Sequence, residues 1–278
     1  MRNHSLWGPL VRPAVSVVGL VLLVAACDVR VGDDGVSLGI VEGRASDEWS
    51  RSYELSSGGV VEIGGVNGTI QAAPADDGRV AVLARRRARA RSDEAAQALL
   101  DAFAVHEEVS AERVAVSVRR EDGRAGTGFG GPGISVEYEV RLPPGVRASF
   151  TTENGNVELD ELDGQVVVST TNGRIIGRAL SGPLEAHLVN GGIDVDFARV
   201  TGEVRMTTVN GGIRVTVAPD VTATVEASAV NGGVSVDDEL PFDADTSDRR
   251  RLTGRLNGGG PMIVLQTTNG AVRVARHE

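Results

Sequence analysis

The sequence predicts an all-β protein, built as a single-stranded β-solenoid (β-helix-like) with coils of about 19 residues. Two observations predict it: the dipeptide Asn-Gly returns at a nearly constant spacing, and apolar residues hold fixed positions on both sides of it. A third observation limits the helix content, because only one segment after the N-terminal region places apolar residues at helical spacing. An antiparallel β-meander or sandwich is the alternative, since Asn-Gly between alternating strands also favours hairpins.

The repeat dominates the second half of the chain. Seven asparagines share one sequence frame, and they are Asn67, Asn154, Asn172, Asn190, Asn210, Asn231 and Asn269. From Asn154 to Asn231 the spacings are 18, 18, 20 and 21 residues, and a further 38, about two periods, lead to Asn269. An apolar residue lies three positions after each asparagine, and alternating apolar residues precede it. Each unit therefore predicts two short strands joined at a corner, because glycine and asparagine accept positive φ.

A constant period favours stacked coils, because equivalent residues then lie one strand spacing apart, about 4.8 Å. The asparagines are then expected to form a ladder of hydrogen bonds along the axis. Asn257 breaks the frame, so the segment Asp237–Gly260 is predicted to be an insertion that departs from the regular coil path. Residues 146–278 are assigned to the repeat solenoid.

Residues 48–145 are less regular and are predicted to form a β-rich cap with one helix over about 93–105. Ser92 is a suitable N-cap residue, and Leu99 and Phe103 recur at helical spacing after it. The cap is expected to cover the first edge of the solenoid, because exposed sheet edges invite aggregation.

The N-terminus has the pattern of an export signal. A basic start is followed by the apolar run 14–24, which is too short to span a bilayer as a helix but typical of a signal peptide. The run ends in Leu23-Val24-Ala25-Ala26-Cys27, which resembles the bacterial lipobox. That resemblance implies a signal peptide over residues 1–26 and acylation of Cys27 with palmitate-type chains. Residues 27–47 show no clear periodicity and are predicted to be a tether, with room for one short strand over 36–41. Cys27 is the only cysteine in the chain.

A second resemblance rests on the segment 134–143, Ile-Ser-Val-Glu-Tyr-Glu-Val-Arg-Leu-Pro, and on the Thr-x-Asn-Gly repeats that follow it. Over roughly residues 48–278 the chain resembles a family of bacterial envelope proteins regarded as adhesins, whose domain has no known function. The resemblance implies a β-solenoid on an exported protein, with roles in adhesion or envelope stress. It implies no catalytic residues.

Composition and spacing exclude several functional classes. The net charge of −10 disfavours nucleic acid, because an acidic chain repels the phosphate backbone. The four histidines and the single cysteine have no zinc-ligand spacing, and no carboxylate pattern recurs from coil to coil. The sequence therefore predicts no metal, no cofactor and no catalytic site, and hence no enzyme.

One charge cluster has two interpretations. It comprises Arg85, Arg86, Arg87, Arg89 and Arg91. Such a run could bind anionic lipid headgroups or acidic polysaccharide. The favoured interpretation is a solvated face that pairs with acids of the following helix, such as Asp93, Glu94 and Asp101.

The sequence thus predicts a non-catalytic, membrane-anchored lipoprotein on the extracytoplasmic side of the cell envelope. Its solenoid is expected to act as a binding, adhesin-like or structural module. The expected partners are the membrane, through the lipid anchor, and an envelope polysaccharide or surface protein. Two alternatives stay open: a carbohydrate-active β-helix enzyme, which a cleft lined by acids and Arg in adjacent coils would support, and an envelope-stress sensor or regulator.

Overall fold

The computed structural model describes residues 28–32, 35–39, 43–121 and 133–277, and the chain divides into two units between Ile40 and Val41. The predicted signal peptide and Cys27 lie outside the described residues. The first unit contains β1 (Asp28–Gly32) and β2 (Gly35–Gly39), which pair antiparallel. The stretch predicted as a tether therefore includes two paired strands, and β2 overlaps the short strand expected over 36–41.

The second unit contains the remaining strands and one helix, over its described residues. In chain order they are β3 (Gly43–Tyr53), β4 (Val60–Gly64), β5 (Ile70–Pro74), β6 (Val80–Ala90), α1 (Asp93–Asp101), β7 (Phe103–Val109), β8 (Arg113–Arg120), β9 (Gly133–Leu142), β10 (Arg147–Asn154), β11 (Val157–Asp160), β12 (Val166–Asn172), β13 (Ile175–Leu180), β14 (Leu184–Asn190), β15 (Ile193–Phe197), β16 (Val204–Asn210), β17 (Ile213–Val217), β18 (Ala223–Asn231), β19 (Val234–Val236), β20 (Phe242–Ser247), β21 (Arg251–Leu256), β22 (Met262–Asn269) and β23 (Val272–Arg276).

These strands form two sheets. The eleven-stranded sheet has the order β20-β21-β18-β22-β16-β14-β12-β10-β4-β8-β7, and the ten-stranded sheet has the order β19-β23-β17-β15-β13-β11-β5-β9-β6-β3. Each repeat contributes one strand to each sheet, and successive repeats pair in parallel and in register, so that Val168 lies between Phe150 and Ala186. The Asn-Gly corners join strands of different sheets. The predicted solenoid is therefore confirmed, and the hairpin meander is not formed by the repeats.

The core lies between the two sheets. In most strands every second residue points into it, because successive side chains of a strand alternate between faces. Phe150, Val168 and Met206 form one fully buried column, and Ile175 and Ile193 belong to a facing one. Burial of such a side chain contributes about 1.5–3 kcal/mol, so repeated columns of this kind supply most of the stabilising free energy.

The C-terminal repeat does not end the stack. Strand β22 pairs in parallel with β16 on one side and with β18 on the other, and β23 lies in the same way between β17 and β19. Strands β18 and β19 therefore do not pair directly with β16 and β17. The later strands β22 and β23 form the layer between them. The predicted insertion makes the antiparallel hairpin β20–β21, which extends the eleven-stranded sheet beyond β18.

The N-terminal region closes the other end. The β4–β5 repeat pairs with β10 and β11, and β8 and β9 pair in parallel on its other side. Strands β7, β6 and β3 then complete the two sheets in antiparallel pairing.

The helix α1 packs beside β3 and β6 and buries Ala96 and Leu100. The Ser92 side chain accepts a hydrogen bond from the Ala95 amide at 3.2 Å, as an N-cap does. The helix ends at Asp101, earlier than the expected position 105, because Phe103 already pairs with Arg120 of β8. No helix among the described residues is long and apolar enough to cross a membrane.

Candidate functional site

The seven repeat asparagines form one hydrogen-bonded ladder along a corner of the solenoid. Side-chain Nδ2 of Asn154 donates to Oδ1 of Asn67 at 2.9 Å, and the pattern continues from coil to coil. The other donor–acceptor distances are 2.8 Å for Asn172 to Asn154, 2.9 Å for Asn190 to Asn172, 2.8 Å for Asn210 to Asn190, 2.8 Å for Asn269 to Asn210 and 2.9 Å for Asn231 to Asn269. These side-chain amides are hydrogen-bonded to one another, so the ladder has a structural role.

The glycine after each asparagine is required by the close approach of neighbouring coils. At Gly191 φ is 138°, and a Cβ atom there would lie 1.7 Å from the carbonyl oxygen of Gly173. The hydroxyl of Thr208 donates to the carbonyl of Gly191 at 3.3 Å from inside the coil. This corner is therefore closely packed and leaves no space for a ligand.

The outer face of the ten-stranded sheet is charged. Charged side chains project from most strands of the ten-stranded sheet, and they include Glu137, Glu139, Glu158, Asp160, Arg178, Asp194, Arg214 and Arg273. Some of them pair, as Arg178 does with Asp160 at 3.0 Å. This face is a mixed-charge, solvated surface of the kind that keeps a protein soluble.

The eleven-stranded sheet carries an outward row of residues without carboxylates or guanidinium groups, which we call the neutral row. Strand pairing aligns its members across adjacent strands from β7 to β18, and they are His106, Ser117, Gly64, Thr151, Ser169, His187, Thr207, Gln266 and Ser228. Except for His106 and Ser117, they lie three positions before the repeat asparagines.

A second outward row, called the valine row, lies between the neutral row and the asparagine ladder. Its members from β12 to β18 are Thr171, Val189, Val209, Thr268 and Val230, and the exposed Glu153 takes the same position on β10. The three valines are 41%, 40% and 59% exposed. The neutral row and the valine row from β12 to β18, together called the neutral face, present hydroxyl, amide, imidazole and apolar β-branched side chains at a strand spacing of about 4.8 Å. β-branched side chains have restricted rotamers, so they lose little freedom when a ligand covers them.

A depression of about 170 Å³ interrupts the neutral face where β7, β8, β4 and β10 lie side by side. Its polar lining consists of Glu62, His106, Glu108, Arg113, Ser117, Arg119, Ser149 and Thr151. Gly64 and Ala115 also line it, and these two residues lack the longer side chains present elsewhere on the face.

Arg113 organises the charges of this depression. Its Nε and Nη2 atoms donate to the two carboxylate oxygens of Glu62 at 2.9 and 2.7 Å, and its Nη1 donates to Oε2 of Glu108 at 2.7 Å. The hydrogen bonds from Arg113 hold the pKa of Glu62 below its ordinary value, and the same bonds raise the pKa of Arg113. At the other end, Nε of Arg119 donates to Oγ of Ser117 at 2.9 Å.

The alternative function, a carbohydrate-active enzyme, would need acids and an arginine grouped on adjacent strands, as Glu62, Glu108 and Arg113 are. A glycoside hydrolase needs one carboxylic acid with a raised pKa as its general acid. Glu62 is shifted the opposite way, because Arg113 stabilises its charged form. The arrangement is therefore better suited to hydrogen bonding of a ligand than to proton donation.

The arginine run lies mainly on β6 and is paired with neighbouring strands. Arg85 pairs with Glu48 of β3 at 3.1 Å and with Glu139 of β9, and Arg87 pairs with Glu137 of β9 at 2.5 Å. The expected pairing with acids of the helix is wrong, because the antiparallel register of β3, β6 and β9 brings strand acids closer.

Arg86 lies on the opposite side of β6 from Arg85. It binds the carboxylate of Asp47 and also donates to the carbonyl of Phe103. With its guanidinium held in this way, Arg86 joins β6 of one sheet to β7 of the other.

The depression was not identified from the sequence. Gly64 stands at the frame position where later repeats have Ser, Thr, His or Gln, and this gap is the signal that marks it. No sequence pattern predicted that Glu62, His106 and Arg113 lie close together, because they belong to three separate strands. In the part of the chain that the structure describes, no three His, Cys, Asp or Glu residues are grouped to hold a metal ion.

Three bacterial proteins of solved structure are similar to this chain at low sequence identity. A candidate cell adhesion protein from Clostridium sporogenes is 10% identical with a TM-score of 0.48, and the match covers 84% of this chain and 100% of that one. A candidate adhesin from Bacteroides fragilis is 11% identical with a TM-score of 0.28, over 83% and 97% of the chains. A candidate adhesin from Parabacteroides distasonis is 11% identical with a TM-score of 0.24, over 85% and 98%.

The family assignment rests on sequence. No curated protein matches the chain. A family model described as Toastrack DUF4097 matches residues 113–275, which is more than half of the chain and includes the ladder from Asn154 onward. With its repeats stacked as parallel coils, the chain belongs to the Toastrack DUF4097 family.

Proposed function

We propose that the protein is a non-catalytic, adhesin-like binding module of the cell envelope that holds an extended polysaccharide against the neutral face. The observation that carries this proposal is the neutral row, an alignment of hydroxyl, amide and imidazole groups across adjacent strands of one sheet. A row of this kind offers a regular series of hydrogen-bonding groups to a polymer that has its own regular series of hydroxyl groups.

The chemistry of the face favours a neutral polymer. Serine, threonine and glutamine side chains both donate and accept hydrogen bonds, and this matches sugar hydroxyls. The valine row beside them provides an apolar strip for the C–H faces of sugar rings. Because the face belongs to a rigid parallel sheet, little conformational entropy is lost when the polymer binds.

The anchor is a second part of the same proposal. Cys27 stands directly after the predicted export signal, and we propose that acyl chains on it hold the mature protein at a membrane surface outside the cytoplasm. A binding face on a membrane-tethered solenoid would attach the membrane to an envelope polysaccharide.

The test is sedimentation of the purified full chain, in detergent, with insoluble neutral polysaccharide and with cell-wall sacculi. Ser169→Arg places a long cation in the exposed middle of the neutral row and is expected to abolish co-sedimentation. Ser235→Arg makes the same replacement at an exposed position of β19 in the ten-stranded sheet and is expected to leave binding unchanged. Equal binding by both variants would contradict the proposed role of the neutral face.

A carbohydrate-active enzyme is the second candidate, and the Glu62–Arg113–Glu108 group favours it. Release of new reducing ends from bound oligosaccharide measures it directly. We expect none, and activity that Glu62→Gln abolishes would replace the binding proposal with the enzymatic one.

A further inference from the structure

We propose that the depression around Gly64 is a subsite for one uncharged hexose ring, and this inference rests on the proposed polysaccharide-binding function. The depression interrupts a row that otherwise continues with side chains on both sides, Ser117 on β8 and Thr151 on β10. It is therefore the one position of the described neutral row where a ligand can descend to the backbone of the sheet.

The size of the depression suits one sugar ring. Its volume of about 170 Å³ is smaller than the roughly 300–1,000 Å³ of pockets that enclose a whole small-molecule ligand. A shallow site of this size on a long face fits a single unit of a polymer whose other units lie along the row.

The charges of the depression select against an ionic ligand. The carboxylates of Glu62 and Glu108 are matched in number by the guanidinium groups of Arg113 and Arg119. Three hydrogen bonds hold the Arg113 guanidinium to the two carboxylates. An anionic or a cationic ligand would have to disrupt these pairs or bind without a compensating charge, whereas a neutral ligand leaves them in place.

The remaining hydrogen-bonding capacity matches adjacent sugar hydroxyls. Each carboxylate oxygen of Glu62 keeps a lone pair that can accept from a hydroxyl group while Arg113 fixes its position. Oγ of Ser117 accepts from Arg119, so its own O–H is directed elsewhere and can donate to the ligand. His106 adds an imidazole that has no hydrogen-bond partner among the described residues and is exposed beside the floor.

The variant Gly64→Val tests the subsite because it fills the floor without disturbing the strand. Gly64 does not have a positive φ, and a Cβ there would meet only the Ser117 Cβ at 3.6 Å, an ordinary contact. The matched control is Ser235→Val, which introduces the same side chain at an exposed position of β19 in the ten-stranded sheet, outside the neutral face. Gly64→Ala adds a single methyl group and provides a graded second variant.

The experiment is calorimetric titration of the full chain with uncharged tetrasaccharides, a β-1,4-linked glucose oligomer and a β-1,4-linked N-acetylglucosamine oligomer. We expect at least one to bind, and we expect Gly64→Val to weaken it about 10- to 100-fold, Gly64→Ala less, and Ser235→Val not at all. Far-ultraviolet circular dichroism checks that each variant is folded.

Two results would overturn the subsite while leaving the proposed function intact: unchanged tetrasaccharide affinity in folded Gly64→Val, or tighter binding of an oligogalacturonate than of the neutral oligomers. Failure of the unmodified chain to co-sediment with any polysaccharide would instead overturn the proposed function itself.

Discussion

Nδ2 of Asn231 donates a hydrogen bond to Oδ1 of Asn269 at 2.9 Å, although Asn269 follows it by 38 residues. Asn269 in turn donates to Asn210 at 2.8 Å. The last repeat is thus an interior layer of the stack, bounded on both sides by earlier ones. The layer between β16 and β18 is filled only after the C-terminal residues are available, so the stack is not completed in chain order.

An interior position of the last repeat predicts a large effect of core substitutions close to the C-terminus. Leu265 of β22 is fully buried, and Leu265→Ala is expected to lower the free energy of unfolding by about 2–5 kcal/mol. Urea unfolding monitored by circular dichroism measures it. Val230→Ala, at an exposed position of β18, is the control and should change stability little. A small effect of Leu265→Ala would mean that the last repeat is only a peripheral layer.

Interruption of the asparagine ladder should destabilise the solenoid moderately. Asn172→Ala removes the donor to Asn154 and the acceptor for Asn190. Because these corner groups are half exposed and water partly replaces the lost bonds, we expect a loss of about 1 kcal/mol in urea unfolding. Thr171→Ala, next to it on the exposed face, should be nearly neutral. Equal stability of the two variants would argue against a stabilising role for the ladder.

Gly191 and Gly64 are expected to respond differently to substitution by alanine. Gly191→Ala introduces a Cβ that clashes with the Gly173 carbonyl and requires an unfavourable φ, so we expect a loss of about 2–5 kcal/mol. Gly64→Ala has neither problem and should be neutral or stabilising by up to about 1 kcal/mol, as for other glycines inside strands. Thermal unfolding of both variants compares them, and similar melting temperatures would contradict the close approach of coils at Gly191.

Removal of the guanidinium group of Arg113 should raise the pKa of Glu62. The pKa of this carboxyl group is lowered in the folded state because Arg113 stabilises its charged form. Pairing therefore adds stability above the unfolded-state pKa of Glu62, and this contribution is lost as the pH falls through the folded-state pKa.

Arg113→Met should reduce that pH dependence and move the pKa of Glu62 back towards its ordinary value, as measured by NMR titration of the side-chain carboxyl carbon. Arg205→Met breaks a similar exposed pair with Glu203 elsewhere on the sheet, so it should leave Glu62 unchanged. A pKa of Glu62 that does not rise in Arg113→Met would show that another group lowers it.

The proposed lipid anchor predicts a change of location on substitution of one residue. Cys27→Ser removes the acylation site, so the protein should leave the membrane fraction of cells that express it. Fractionation and metabolic labelling with palmitate measure the two effects, and Ser37→Cys combined with Cys27→Ser is a control for cysteine content. Persistent membrane association of Cys27→Ser would refute anchoring through this residue.

Several parts of the fold could be predicted because they depend on local periodicity. Alternate buried positions such as Val166 and Val168 indicate strands, and the following Asn-Gly at 172 and 173 indicates a corner. The order of the last two repeats could not be predicted in this way. The frames around Asn231 and Asn269 are equivalent, and any parallel strand edge offers the same backbone donors and acceptors to a neighbour.

The sequence by itself determined the coil: its length, its inward columns and its glycine corners, because these follow from side-chain alternation and from the conformations open to each residue. Only the tertiary structure decided which coils are neighbours and which outward side chains share a surface. Glu62, Glu108 and Arg113 are brought together by the pairing of β4, β7 and β8, and that pairing depends on long-range contacts between strand edges. Residues distant in sequence therefore acquire a common chemistry only when the sheet has formed.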